Sequence, residues 1–203
     1  MTGHYMERYF PEHRVRYISL LDGIDTGVDS TANDITPFRA IMNDMYAKDI
    51  SKKIKSVKRD KQRKGQFIGG KPMYGYKMHP TEKNKIVIDE EVAPVVRRIF
   101  ALALSGMSCR KIATILNEEG IPTPATYCGW KVGNPGPYTG LWSSERIAEM
   151  LKNETYIGNM VQGRMVKISY KSKKCLRQSP ENWVVVEGTH EPIIDPETFQ
   201  KVQ

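Results

Sequence analysis

Residues 36–65 read TPFRAIMNDMYAKDISKKIKSVKRDKQRKG, and the rest of the chain is parsed around this stretch. Thr36 is placed to cap a helix, and Pro37 suits the first helical position, where a missing N–H costs nothing. Phe38, Ile41, Met42, Met45, Tyr46, Ile50, Ile54 and Val57 then recur mostly three and four residues apart, which lines one face of a helix. Gly65 is the expected stop, because glycine tolerates the left-handed conformation that commonly ends helices. About 28 helical residues would extend roughly 42 Å, longer than a typical domain helix. The apolar stripe ends at Val57, but no breaker appears until Gly65. Residues 58–64 (KRDKQRK) have no apolar face to bury, so this part is expected to lie in solvent or along a ligand.

The charge is concentrated in the same place. Between Lys48 and Lys71 stand ten Lys or Arg and only two acids, Asp49 and Asp60, a balance of +8 that equals the formal net charge of the chain. Residues 1–47 balance to −3 and residues 72–203 to +3. A near-neutral protein with one very basic strip carries the electrostatic footprint expected for a polyanion, with DNA or RNA the leading candidates.

Composition bounds the class. At 203 residues the chain can form one large or two small domains, and 39% apolar with 27% charged residues fits a folded protein. No apolar run approaches the roughly 18 residues needed to span a bilayer, and the N-terminus has no apolar signal segment. Cys109, Cys128 and Cys175 are far apart, with no CxxC, and offer neither a disulfide framework nor a zinc site. A cytosolic protein without membrane contact is the expectation.

Working outward, Val15–Leu21 is a short β-rich run ended by the turn pair Asp22-Gly23. One such strand, with Tyr9 and Phe10 before it, cannot build a core. Residues 72–88 read as a β-hairpin around a loop at 80–84. Asp89 is placed to cap a helix whose buried stripe is Val92, Val95, Val96, Ile99 and Phe100, with regular helix expected only near Ala93 because of Pro94. Ser108 caps a second helix (Ile112, Ala113, Ile115 and Leu116 inward), ended by Gly120. Residues 120–140 hold nine Gly or Pro and are expected to be irregular. Ser143 or Ser144 caps a third helix with Ile147, Met150 and Leu151 inward. Residues 156–170, interrupted at Gly163, and 182–187 read as strands, with a second basic stretch (Arg164, Lys167, Lys171, Lys173, Lys174, Arg177) and no acid between Glu154 and Glu181. Pro196 starts a last helix.

The predicted fold class is therefore α+β: a long N-terminal helix leading to a mixed domain with a helix-turn-helix-like three-helix core plus β-hairpins. In a helix-turn-helix the last helix offers its N-terminal residues to the major groove. Ser143, Ser144 and Arg146 (with Glu145) would read bases, and Lys152 would sit nearer a phosphate. Lys52, Lys53, Lys55, Lys58, Arg59, Lys61, Arg63, Lys64 and Lys71 are the candidate backbone contacts from the basic strip.

Catalytic patterns are sparse. His4, His13, His79 and His190 are scattered, with no metal-binding spacing, and His190 reads better as a packing residue than as a base. Asp22, Asp25, Asp29 and Asp34 lack calcium-loop spacing. Gly69-Gly70-Lys71 lacks the remaining residues of a phosphate-binding loop. Tyr74 and Tyr76 could stack on bases, but a hairpin's aromatic pair usually packs on a core. No metal, cofactor or catalytic residue is assigned.

Several motifs in order resemble the large serine recombinases. They are Asp22-Gly23-Ile24-Asp25-Thr26, Asp49-Ile50-Ser51-Lys52-Lys53-Ile54-Lys55, Gly75-Tyr76, Ala93-Pro94-Val95-Val96-Arg97-Arg98-Ile99-Phe100, Ile112-Ala113 and Leu116-Asn117. Gly120-Ile121-Pro122-Thr123-Pro124, Leu151-Lys152-Asn153, Tyr156-Ile157-Gly158 and His190-Glu191-Pro192-Ile193-Ile194-Asp195 continue the series. The resemblance implies residues 1–35 as the end of a catalytic domain, 36–65 as a helix that dimerises and crosses DNA, and 66–203 as a recombinase DNA-binding domain. It implies dimerisation through Phe38, Ile41, Met42, Met45 and Tyr46, and a zinc ribbon downstream.

The parent would be a mobile-element integrase or transposase, acting through phosphoserine strand exchange without cofactor, as a homodimer or tetramer on double-stranded attachment-site DNA in a bacterial nucleoid. No serine here sits in the family's nucleophile motif, so this chain alone is expected to bind DNA without cutting it. A free-standing helix-turn-helix regulator and an RNA-binding module are the alternatives.

Overall fold

In the computed structural model the decisive stretch is a helix, α1 (Thr31–Arg63), of 33 residues and about 50 Å. The structure describes residues 5–20, 24–27, 31–129 and 140–203. The backbone is already helical at Thr31, so Thr36 is not the start of α1, a correction to the sequence reading. Propagation adds one hydrogen bond per residue fixed, so a nucleated helix runs on into its flanks. At the other end Gly65 takes φ +69° and its amide bonds Gln62 O at 3.0 Å, the expected stop. The fold class is α+β.

The chain divides into two units, residues 1–57 with 167–174, and residues 58–166 with 175–203. In the first, a short helical segment (Tyr5–Glu12) precedes an antiparallel pair, β1 (Ile18–Ser19) and β2 (Ile24–Asp25), with Ile18 opposite Asp25. The sequence pointed to a single strand here; a two-residue partner is too short to leave a period-2 signal. The Asp22-Gly23 turn lies outside the described residues. Phe10 stacks on Tyr17 at 5.8 Å between ring centroids. Arg16 clamps Asp25, Nε donating to Oδ1 at 2.8 Å, and this bond is the main reason the Asp25 carboxyl is held down to about 2. On α1, Asp44 accepts from the Tyr170 hydroxyl at 2.7 Å and pairs with Lys171 at 2.6 Å.

The second unit holds the core. Strands β3 (Tyr76–Met78) and β4 (Ile86–Ile88) form the expected hairpin, with Asn84 turning at φ +62°. Helix α2 (Ala93–Leu104) buries Ala93, Val96, Ile99 and Phe100. Asp89 does not cap it with its side chain, as the sequence suggested: its backbone carbonyl accepts from the Val92 and Ala93 amides. The Asp89 carboxylate is drawn instead to the Tyr127 hydroxyl at 3.0 Å and Lys77 at 3.3 Å. Helix α3 (Cys109–Glu118) starts where Ser108 accepts from the Lys111 amide, as expected.

The stretch expected to be irregular contains a helical turn, α4 (Pro124–Tyr127), capped by Thr123. Residues 130–139 lie outside the described ones. Helix α5 (Ser144–Leu151) follows, then a 3-10 turn at Glu154–Ile157 capped by Asn153. The stretch 156–170 is broken at Gly163, as expected, where φ is +81°, into β5 (Met160–Gln162) and β6 (Met165–Lys167). Strand β5 pairs with β8 (Val184–Val186), and β6 with β7 (Cys175–Arg177). Helix α6 (Pro196–Val202), capped by Asp195, closes the unit against α2 through Phe199, whose ring centroid lies 6.1 Å from that of Phe100.

The tyrosines considered for base stacking are core. Tyr74 and Tyr76 are each 5% exposed. The Tyr156 hydroxyl donates to Tyr74 O at 3.0 Å, and the Tyr76 hydroxyl reaches Thr155 O and Glu191 O at 3.2 and 3.0 Å. Burial pushes the Tyr74 phenol up to about 12 and raises those of Tyr76 and Tyr156 as well. His190 is likewise a packing residue. Nε2 donates to Thr155 O at 2.8 Å, the ring meets Tyr76 edge-on at 4.9 Å, and burial lowers its pKa.

Candidate nucleic-acid interface

The far end of α1 owes its character to what it lacks. An alanine or leucine stripe would have fixed residues 58–64 against protein; KRDKQRK offers only charged or amide side chains. Lys58, Arg59, Arg63 and Lys64 are exposed and Lys61 is half-buried. Within the basic strip two ion pairs form, Lys53–Asp49 and Lys64–Asp60, each at 2.9 Å and each one helical turn apart. The Asp49 carboxylate raises the pKa of Lys53 by accepting its hydrogen bond. Among the described residues, Lys52, Lys55, Lys58, Arg59, Lys61 and Arg63 meet no carboxylate of the chain. A row of cations left without intramolecular partners is what phosphate binding requires, since each contact then releases a condensed counterion without first breaking a salt bridge.

Upstream on the same helix, among the described residues, the apolar stripe is uncovered. Phe38, Met45 and Tyr46 are 69%, 61% and 61% exposed, and Ile41, Met42, Ile50, Ile54 and Val57 are exposed as well. Scattered surface apolar residues are ordinary, but eight on one helix face form a contiguous strip of the kind that marks an interaction surface.

Helix α5 is set by Trp142. Its indole Nε1 donates to Ile121 O at 2.9 Å, its amide donates to Asn117 Oδ1 at 2.7 Å, and Asn117 returns a bond to Trp142 O at 3.0 Å. These bonds lock the entry of α5 to the end of α3, and Ile147 and Leu151 pack with Ile112 and Leu116. At the C-terminal end of α3, Arg98 of α2 forms a two-pronged pair with Glu119, lowering the Glu119 pKa chiefly through the hydrogen bond.

The expected reading residues separate in this setting. The Ser143 hydroxyl is committed as the cap, accepting from the Arg146 amide. Ser144 is half-buried and its hydroxyl faces Glu145 at 3.2 Å. Arg146 and Lys152 are exposed. Arg146 and Lys71 both line a cleft of about 290 Å³ over Met73, Tyr74, Met150 and Tyr156, with Glu149 beside them. Lys71 also donates to Cys128 O at 3.2 Å. Sequence spacing gave no hint that Lys71 and Arg146 share a cleft, because 75 residues of chain separate them.

Among the described residues, no helix is long and apolar enough to cross a membrane. Residues 90–203, more than half of the chain, match the family model described as Recombinase, and the chain belongs to that family. This agrees with the likeness of its ordered motifs to the large serine recombinases.

The chain is 33% identical over 86 residues to the uncharacterized protein YefB of Bacillus subtilis (strain 168), covering 42% of this chain and 27% of that one. Two solved structures are similar at 24% identity and a TM-score of 0.45, each over 74% of this chain. One is described as a crystal structure of an LSR–DNA complex and is covered to 36%; the other concerns the attP site of a Listeria innocua prophage and is covered to 49%. The chain thus spans about a quarter of the curated relative and less than half of either solved chain.

Proposed function

We propose that this chain is the DNA-binding portion of a site-specific serine recombinase that integrates or excises a mobile element in the bacterial cytoplasm, on double-stranded attachment-site DNA. The observation that carries the reading is the set of unpartnered cations on α1 beyond the last apolar residue, Val57. Family membership supports it, and a free-standing helix-turn-helix regulator is not favoured by that match. Lys52, Lys53, Lys55, Lys58, Arg59, Lys61, Arg63, Lys64, Lys71 and Lys152 hold phosphates; Arg146, with Ser143 and Ser144 at the helix start, faces base edges. The stripe from Phe38 to Tyr46 pairs with a second copy, the basis of a dimer or tetramer in the whole protein. No serine of this chain matches the nucleophile motif, so the chain binds attachment-site duplex and leaves its strands intact.

The test is duplex binding followed by fluorescence anisotropy at several salt concentrations, with strand integrity checked on a denaturing gel. Replacing Lys58, Arg59, Lys61 and Arg63 with Ala weakens binding to target and random duplex alike. It flattens the plot of log K against log salt by about 0.9 for each phosphate no longer held. An unchanged slope removes the helix end from the interface, and strand cleavage by the purified chain refutes the assignment as a binding portion alone.

A further inference from the structure

The basic stretch from Arg164 to Arg177 holds six Lys or Arg and no acid, and of these Lys171 is already paired, with Asp44 of α1. It folds as the β6–β7 ribbon. Ile168 N–H donates to Lys174 O at 3.3 Å and Gln178 N–H to Arg164 O at 2.8 Å, which fixes an antiparallel register. In that register Val166 lies opposite Leu176, Met165 opposite Arg177, and Lys167 opposite Cys175. Cross-strand partners share a face, so Lys167 and Arg177 are diagonal neighbours on one side of the ribbon. Val166, Ile168 and Leu176 lie on the other.

Among the described residues neither face is covered. Met165, Val166, Ile168 and Leu176 are 57%, 39%, 51% and 54% exposed, and Lys167 and Arg177 are exposed too. A two-stranded ribbon without a buried face is marginal in water, so this one relies on its anchor or on a ligand. The anchor is visible at its base. The Arg164 guanidinium sits 4.9 Å over the Trp183 ring, and the Trp183 indole donates to Gln178 O at 3.1 Å. Arg164 is thereby used to hold the ribbon. Among the described residues, Lys167 and Arg177 have no carboxylate partner. A narrow, twisted, cationic ribbon with two open faces matches one partner in shape and charge, the groove and phosphates of a duplex, which a two-stranded ribbon can enter.

We propose that the β6–β7 ribbon is a second duplex-DNA contact, gripping phosphates through Lys167 and Arg177 on a footprint additional to that of α1. The inference rests on the DNA-binding reading, and its failure is separable from that reading's. In the same anisotropy assay, the double variant Lys167→Gln, Arg177→Gln binds target and random duplex more weakly by the same factor. Its salt slope is flatter than that of the parent by about 1.8, two phosphates at about 0.9 each.

The charge-keeping variant Lys167→Arg, Arg177→Lys retains the parent slope. If the parent chain binds with a steep salt slope and the Gln variant matches it, the ribbon is not a DNA contact and the reading of α1 stands. If the charge-keeping variant loses slope as much as the Gln variant, the effect is structural and the proposal is overturned. If the parent shows no salt-dependent duplex binding, both fall.

Discussion

Tyr76→Phe removes one oxygen from the centre of the second unit and separates a core role from a base-stacking one. The hydroxyl donates its single proton toward Glu191 O at 3.0 Å or Thr155 O at 3.2 Å, and accepts from Ile193 N–H at 3.2 Å. The loss is cushioned. Ile193 N–H keeps Tyr156 O at 3.0 Å, and Thr155 O keeps His190 Nε2 at 2.8 Å. The ring of a phenylalanine fills the same volume, so no cavity opens. What remains is the net value of one donated and one accepted bond, about 1–2 kcal/mol in all. For a chain of this size that corresponds to a fall in Tm of roughly 2–8 °C. Urea unfolding followed by circular dichroism measures it, with the m-value unchanged. Duplex affinity at low temperature stays at the parent level, because the ring faces protein. A stability loss below about 0.5 kcal/mol, or a loss of affinity in the folded variant, would refute the assignment of Tyr76 to the core.

Gly75→Ala is expected to be worse. The backbone there has φ +97°, and an added Cβ would stand 2.8 Å from Ile193 Cδ1 and 2.9 Å from Val96 Cγ2; strain and overpacking together cost roughly 2–5 kcal/mol, read by the same denaturation. Tyr74 titrates near 12 when folded and near 10.0 when unfolded. Its contribution to stability is therefore full below pH 10 and is lost as pH rises through the folded value, which absorbance at 295 nm and unfolding midpoints will follow together. His190 works in the opposite direction, since burial depresses its pKa below the ordinary histidine value of 6.5. Stability is present above that value and falls as pH drops through the lower folded one, and His190→Gln flattens the acid limb of the stability profile. Met45→Asp together with Ile50→Asp places charge in the uncovered stripe, and any dimer of the parent chain seen by analytical ultracentrifugation reverts to monomer while the helical signal is kept.

Much of the fold was legible because it is written in local terms. Ser108 caps α3 and Ser143, one of the two serines the spacing offered, caps α5, and Gly65 and Gly120 turn with positive φ at the expected helix ends. The misses have local causes too. Asp89 has the composition of a cap, but the Tyr127 hydroxyl and Lys77 compete for its carboxylate. The turn α4 hid inside a run of glycines and prolines because four residues are too few to show a period.

For the site, charge was readable and geometry was not. That α1 carries apolar residues to Val57 and only charged or amide ones from there to Arg63 follows from the order of residues alone, since helical periodicity and the identity of side chains need no other part of the chain. Folding decided which cations remain without carboxylates. It put Lys71 and Arg146 on the lining of one cleft, carried Tyr170 and Lys171 to Asp44 across about 126 residues, and committed the Ser143 hydroxyl to a backbone amide. Such pairings depend on which surfaces meet when distant segments close on one another, and that is set by the packing of the whole core, not by the spacing of neighbours in the chain.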